Sequence, residues 1–499
     1  MTTAVYPQAA SAQAIVLPKS RGAYYGGAWH EPKSGRFLDT LNPGTGLSLG
    51  KVADAGPEDI DAAVAAAKVA FKEWRRVLPL ERAKILRRIA EILRQSADEL
   101  AMIDAADCGN PVREMVSDAM VAAAQMEFFA GFVTEMKGAS IPMGPDVVNF
   151  SVREPLGVIG RIIPFNHPFM FCAGKSAAPL AAGNTVIVKP PEQAPLSSLR
   201  LAELIGGLLP PGAFNVVPGG REAGQHLASH PDVAMIALIG SVPTGRAVMK
   251  AAADTVKRTM LELGGKNALI AYPDADSDEV AGAVIAGMNF TWCGQSCGST
   301  SRAFIHEKIY DAVLERIKGR IAHYKPGIPT DPATTMGAII SKTQFERVMS
   351  YIDAAKAEGA KVIAGGGRPA DPALANGFYI EPTVFAGVNM SMRIAREEIF
   401  GPVLGVFTWS DEAKMLADVN QVEYGLSASI WTNDLSTAHR TAMAVEAGYV
   451  WINEVGKHFL GAPFGGFKQS GLGREECFEE MLSFTQEKNI HVKLKPAKA

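Results

Sequence analysis

A cysteine and a glutamate, each placed near glycines, are the residues of this chain best suited to chemistry. Cys297 closes the segment Phe290-Thr291-Trp292-Cys293-Gly294-Gln295-Ser296-Cys297, and Glu262 opens Glu262-Leu263-Gly264-Gly265-Lys266. A thiol that ionises is a nucleophile, and a carboxylate that takes a proton from water can release what the thiol has captured. A third segment, Pro164-Phe165-Asn166-His167-Pro168, clamps Asn166 in a turn stiffened by two prolines. Its amide is a suitable donor to a developing oxyanion, as is the backbone N–H of the nucleophile itself. His167 offers a Cys–His dyad as the alternative, although Asn166 and Glu262 already cover the needed roles. The other histidines are scattered and give no triad or metal-ligand spacing. Cys293-x3-Cys297 lacks a second Cys/His pair, so no metal is expected.

These groups need rigid elements to hold them. From Pro57 to about Lys137 apolar residues recur at helical spacing, interrupted at Gly109-Asn110-Pro111. Residues 1–50 read as an irregular lead-in. After Asn149 the rhythm changes to short β-branched runs, Gly157–Ile163, Asn184–Val188, Phe214–Val217 and Val233–Ile239, separated by helix-like stretches. Such βαβ repetition predicts a mainly parallel, doubly wound sheet. A second α/β series follows Lys266, with strands at Asn267–Ala271, Thr300–Ile305 and Tyr449–Ile452, so two units meet near 262–266. Val147–Arg153 and Ile490–Leu494 alternate in β fashion outside both units; they predict an extra sheet or an edge shared between subunits.

Two features suit a dinucleotide. Gly240-Ser241 follows an apolar strand and opens a helical run, where free N–H groups attract phosphate, although the central glycine of G-x-G-x-x-G is missing. Lys189-Pro190-Pro191-Glu192 lies at a strand's C-terminal end, where doubly wound sheets bind ligands. Lys189 and Glu192 there can hydrogen-bond ribose hydroxyls, and the carboxylate repels a 2′-phosphate, favouring NAD over NADP.

The bulk properties narrow the class. The chain has 499 residues, 47% hydrophobic and 20% charged, with a formal net charge of -3. That leaves no electrostatic case for nucleic acid or an anionic membrane. Arg75-Arg76 and the stretch Glu81–Arg94 read as solvated helix faces. Five cysteines, Cys108, Cys172, Cys293, Cys297 and Cys477, are few and odd in number, as in a reducing compartment. No basic, apolar leader opens the chain at Met1–Pro7 and no run reaches membrane-span length, so a cytoplasmic location is expected.

Taken in order, Pro164-Phe165-Asn166-x-Pro168, Lys189-Pro190-x-Glu192, Gly240-Ser241, Glu262-Leu263-Gly264-Gly265-Lys266, Gly294-Gln295-x-Cys297, Glu397-Glu398-Ile399-Phe400-Gly401-Pro402-Val403 and Pro463-Phe464-Gly465-Gly466-Phe467-Lys468-x-Ser470-Gly471-x-Gly473-Arg474-Glu475 closely resemble the NAD(P)-dependent aldehyde dehydrogenase superfamily. The likeness runs from about residue 20 to 495. It implies two doubly wound, Rossmann-like α/β domains and a small β arm for oligomerisation. The NAD-binding domain would take residues 1–135 and 156–264, the catalytic domain 265–477, and the arm 136–155 and 478–499 of a homotetramer or dimer. Cys297 would be the nucleophile, Glu262 the general base and Asn166 the oxyanion donor. Lys189 and Glu192 would hold the adenosine ribose, Gly240 and Ser241 the pyrophosphate, and Glu398 the nicotinamide ribose beside Phe400.

The implied reaction is NAD-dependent oxidation of an aldehyde to the acid, through a cysteine thiohemiacetal and a thioester. By resemblance the substrate funnel takes Phe165, Phe171, Phe290, Trp292, Glu454 and Phe459, aromatic walls that suit an apolar or aromatic aldehyde. The same aromatics with Glu454 would suit a quaternary ammonium, as in a betaine-aldehyde dehydrogenase. A CoA-acylating semialdehyde dehydrogenase is the other alternative, opposed by the base Glu262. Phe165, His167, Ile239 and Trp292 depart from residues common among relatives. Cys293 reads as structural, with a reversible disulfide to Cys297 as its redox alternative.

Overall fold

Four helices lead the way into the first sheet. Pro57–Trp74 buries Ile60, Ala63, Val64, Ala67, Ala70 and Trp74 along one face, the stripe its helical spacing predicts. Pro79–Gln95, Ala97–Cys108 and Val112–Gly131 follow, the break between the last two falling at Gly109-Asn110-Pro111. The computed structural model describes residues 15–495 together with Thr3–Ala4; most of the expected leader-free start, Met1–Pro7, lies outside them.

The first sheet has the order Gly471–Leu472, Arg258–Glu262, Val233–Ile239, Val158–Ile162, Thr185–Lys189, Phe214–Val216, Ala23–Tyr25, Ala28–His30. The five strands between 158 and 262 are mutually parallel, and the outer ones antiparallel. Strand order therefore reverses between Val158–Ile162 and Val233–Ile239, which is where an open α/β sheet forms its ligand crevice. Residues 23–30 correct the irregular lead-in expected for residues 1–50. They form a hairpin turned by Gly26 (φ 62°) and Gly27 (φ 79°), with Tyr24 and Trp29 rings 5.1 Å apart. A second hairpin pairs Phe37–Leu41 with Ser48–Ala53. The strands of the first hairpin, three residues each, are too short for a period-two pattern to stand out.

The second sheet runs Lys361–Ala364, Thr383–Ala386, Val403–Trp409, Arg302–His306, Ala268–Ala271, Ser427–Trp431, Tyr449–Ile452. All but the first of these strands are parallel. The expected strands after Lys266 are all present. A third, antiparallel sheet joins Thr485–Lys493 to Val147–Pro155 over its full length, with Ser140–Pro142 on the far edge. The two alternating segments thus pair with each other. Among the described residues, no helix is long and apolar enough to cross a membrane.

Candidate active site

Glu262 is the last residue of a strand in the first sheet, and Ala268 is the first of a strand in the second. The five residues between them are where the two sheets meet, and the cysteine loop lies against them. Gly264 and Gly265 are required by that closeness. A Cβ on Gly265 would sit 2.6 Å from the Cys297 carbonyl oxygen, and one on Gly264 would collide with the Glu398 carboxylate. The Gly265 N–H donates to Glu398 Oε1 at 3.0 Å. Asn267 Nδ2 donates to the Cys297 and Ser299 carbonyls, at 2.7 and 3.0 Å. Gln295 Oε1 accepts from the Ile340 N–H at 3.1 Å, tying down the other side of the loop.

Cys297 is half-buried, unlike the four other cysteines, which are buried; all five are free. Burial pushes its thiol up to about 12, reinforced by the charges of Glu262 and Glu398, while its own N–H and that of Gly298 pull the other way. Glu262 is buried, and both its carboxylate oxygens lack a hydrogen-bond partner among the described residues. Burial, then the charge of Glu475, holds its carboxyl well above the usual range, opposed by Lys175 and Arg474. Asn166 is buried too. Its carbonyl is held by Asn110 Nδ2 at 2.6 Å, and its side-chain amide makes no hydrogen bond among the described residues. A fixed backbone with a free amide is what an oxyanion donor needs.

His167 does not reach the cysteine through a hydrogen bond. Its Nδ1 lies 2.8 Å from Asp118 Oδ2, and its ring stands edge-on to Trp292 (centroids 4.8 Å apart) and Phe171 (5.7 Å). Phe165 meets Phe400 edge-on at 5.7 Å, linking the oxyanion turn to the 397–403 loop. Phe400 and Cys293 are non-glycine residues in the left-handed region, at φ 56° and 55°. The backbone around the site therefore departs from relaxed geometry, held by Gln344 Nε2 donating to the Ile399 and Phe400 carbonyls at 3.1 and 2.8 Å.

The other aromatic positions expected in the funnel divide. Phe290 is fully buried in the second sheet's core beside Tyr324, because it points inward from the turn that carries Trp292; the structure makes it a packing residue. Phe459 is 61% exposed. The Glu454 carboxylate is engaged by Lys457 Nζ at 3.0 Å and the Val455 N–H at 3.1 Å. Cys293 packs in a core cluster with its thiol raised by burial.

On the cofactor side, Gly240 and Ser241 follow Val233–Ile239 at the switch point, and Ser241 Oγ caps the helix Val242–Ala253 by accepting from the Thr244 N–H. The fingerprint's missing central glycine is Val242, which is buried, while Gly245 occupies the third position. A Cβ there would lie 2.7 Å from Leu263 Cδ1, so close helix–strand packing is kept. Lys189 ends Thr185–Lys189, separated from Val233–Ile239 in the sheet by Val158–Ile162. Burial pushes its ammonium down to about 8, against the nearby carboxylates of Glu192 and Asp54. Burial lifts Glu398 to about 6, which the Gly265 N–H partly offsets.

Two groupings have no signal in the sequence. Behind Glu262, Arg161 and Lys175 each lie 2.8 Å from Glu475, and Arg161 also meets Glu480 at 3.2 Å and Lys175 Glu476 at 3.5 Å. Arg161 sits on a strand and Lys175 on the helix after the oxyanion turn, so no spacing announces them; Glu475 stood in a motif without a role. The histidines are also less scattered than expected. His226, His230 and Asp61 bring ligand-capable atoms within 4.8 Å of one another. His230 Nδ1 accepts the Asp232 N–H, so its proton sits on Nε2, 3.3 Å from Asp61 Oδ1, and the group is a hydrogen-bonded cluster.

The model of the aldehyde dehydrogenase family matches residues 29–490. The protein described as aldehyde dehydrogenase tropH, from Talaromyces stipitatus, is 50% identical over 486 residues, covering 96% of this chain and 94% of that one. An aldehyde dehydrogenase from Bacillus cereus, solved as its NAD+ complex, superposes with a TM-score of 0.92 at 37% identity, over 96% of this chain and 97% of its own. The indole-3-acetaldehyde dehydrogenase AldA of P. syringae, solved with NAD+ and IAA, gives 0.93 at 36% identity over the same shares, 96% and 97%. A family match over residues 29–490 and 50% identity across 96% of the chain are the mark of common descent: the chain belongs to the aldehyde dehydrogenase family.

Proposed function

We propose that the chain oxidises an aldehyde to its carboxylic acid with NAD, through a thiohemiacetal and then a thioester on Cys297. The observation that carries this reading is Glu262, a buried carboxyl with no partner, one short glycine linker away from the backbone against which the cysteine loop packs. Cys297 attacks the carbonyl carbon, and the Asn166 amide and the Cys297 N–H hold the oxygen as it gains charge; one such donor is worth about 10²–10³ in rate. NAD, when bound, supplies the hydride acceptor. Glu262 then takes a proton from water, and the hydroxide so formed cleaves the thioester.

The residues present fit NAD. Lys189 and Glu192 would hold the adenosine ribose, the N-terminal end of the helix behind Gly240 and Ser241 would offer its positive dipole and the Ser241 hydroxyl to the pyrophosphate, and Glu398 would take the nicotinamide ribose beside Phe400. The Glu192 carboxylate disfavours a 2′-phosphate. The substrate is an apolar or aromatic aldehyde, supported by Phe165, Phe171 and Trp292 around Asn166. The betaine-aldehyde alternative is weakened by the engagement of Glu454 with Lys457. Residues 1–135 and 156–264 would form the NAD-binding domain, 265–477 the catalytic domain, and 136–155 with 478–499 an arm that joins a second copy. The free, mostly buried cysteines suit a cytoplasmic setting.

An aldehyde panel read by NADH absorbance, with NAD and NADP in parallel, tests this. Cys297→Ser is expected to abolish turnover. Glu262→Gln is expected to give a burst of NADH without sustained turnover. An unchanged steady-state rate in either variant overturns the role of the residue replaced, and acyl-CoA formation on adding CoA would replace water as the acceptor.

A further inference from the structure

We propose that Asp118, His167 and Trp292 form a subsite for a hydroxyl group carried on the ring of an aromatic aldehyde. This deepens the dehydrogenase reading and rests on it.

His167 follows the oxyanion residue directly, and Trp292 lies in the same turn of chain that leads to Cys297. Their rings are in edge-on contact, 4.8 Å between centroids, with Phe171 on the other side of the imidazole. This aromatic cluster, reached in the chain from both the Asn166 turn and the Cys297 loop, thus carries two polar nitrogens. The Asp118 carboxylate only accepts hydrogen bonds, so the 2.8 Å contact fixes a proton on His167 Nδ1. His167 Nε2 then makes no hydrogen bond among the described residues, and the side chain is buried. Trp292 Nε1 is buried without a partner among the described residues. A tryptophan N–H in such a place normally finds an acceptor.

The chemistry of these two nitrogens selects the ligand. Indole Nε1 can only donate. Imidazole Nε2, with Nδ1 protonated, accepts when the ring is neutral and donates when it is charged. A hydroxyl satisfies both states, since it accepts from Trp292 and either donates to His167 or accepts from it. An ether oxygen satisfies the charged state alone, and a plain phenyl ring satisfies neither. Burial lowers the affinity of His167 for a proton, but the charge and hydrogen bond of Asp118, joined by the charge of Asp104, more than reverse this. Asp118 is a positioning residue: it sets which His167 nitrogen faces the ligand.

The test compares kcat/KM for the three hydroxybenzaldehyde isomers, their methoxy analogues and benzaldehyde, by NADH absorbance. In the wild type at least one hydroxy isomer is expected to exceed benzaldehyde and its own methoxy analogue by about tenfold, the worth of one well-made hydrogen bond. His167→Phe keeps an aromatic ring and is expected to collapse that ratio to near one, through KM more than kcat. Asp118→Ala is expected to lower the same ratio, which loss of stability alone would not move. A wild-type ratio near one for every isomer overturns the proposal, as does a ratio that His167→Phe leaves intact. Calorimetry of hydroxybenzoates against benzoate on Cys297→Ala reads the subsite without turnover. Preferential binding there with no aldehyde oxidised would keep the subsite and sink the dehydrogenase reading; oxidation of benzaldehyde with no hydroxy preference would do the reverse.

Discussion

In the proposed reaction two acids must ionise, and burial opposes both: Glu262 is buried and Cys297 half-buried. Cys297 and Glu262 are each pushed toward the protonated form by burial, and each is disfavoured further by a neighbouring carboxylate. For Glu262 that neighbour is Glu475, itself drawn below the usual carboxylate range because Lys175 and Arg161 outweigh its burial. The sign is therefore fixed. Glu475→Gln removes the negative charge that raises Glu262 and leaves two cations behind, so Glu262 ionises at lower pH. The acid limb of the pH–kcat profile is expected to move downward, wherever release of the acid limits turnover; an unmoved limb would separate the cluster from the base. The variant should also be less stable, since breaking a buried pair costs about 3–5 kcal/mol. In the wild type this part of the stability is present above the usual carboxylate pKa and fades as pH falls through the depressed value of Glu475. Cys297, Glu262 and Asn166 were readable from residue type and motif. Arg161 and Lys175 were not, because an ion pair spanning strand, helix and C-terminal loop has no sequence period.

Short elements do most of the positioning. The linker of 263–267 carries one residue, Gly265, whose missing side chain lets the cysteine loop approach; a Cβ would also press on Asn267 Oδ1 at 2.7 Å. Gly265→Ala must push the Cys297 carbonyl and Asn267 apart, breaking the 2.7 Å bond that holds the backbone of the proposed nucleophile. Misplacing a nucleophile by about 1 Å can cost about 10²-fold. We expect a loss of that order in kcat/KM with only a small change in Tm, because the atoms a Cβ would meet belong to Cys297 and Asn267, which stand outside the hydrophobic core clusters; equal falls in both would make the glycine a folding requirement. The glycine pair stood out in the sequence, but its reason did not, since the atoms it admits come from 297 and 398. The hairpin at residues 23–30 was hidden for a different reason: three-residue strands give no alternation to detect.

At the scale of the whole molecule, one surface is left with no use in a single chain. In the third sheet the register sets Val148 opposite both Val492 and Pro142, with Phe150 opposite Ile490 on the same face. Val148 is 46% exposed and Val492 41%, so this is a stripe of apolar side chains facing solvent at the edge of an otherwise polar arm. The opposite face is largely polar: Asn149 and Ser151 are buried on it, Glu487, Asn489 and His491 are exposed, and Ser151 Oγ donates to Glu487 at 2.5 Å. Alternation in the sequence announced the two long strands, and the structure pairs them; what covers the apolar stripe depends on a surface outside this chain's own core. Uncovered stripes of this kind are the usual sign of a partner. A second copy fits, because closed symmetric pairing is the commonest outcome for soluble oligomers. Val148→Asp with Val492→Asp places two like charges on facing residues of that stripe. Light scattering on the eluting protein is expected to show the wild type as a dimer or larger and the double variant as a smaller species. Far-UV circular dichroism should stay close to wild type, since both side chains stand on the solvent face. An unchanged mass in the variant would move the interface elsewhere on the molecule.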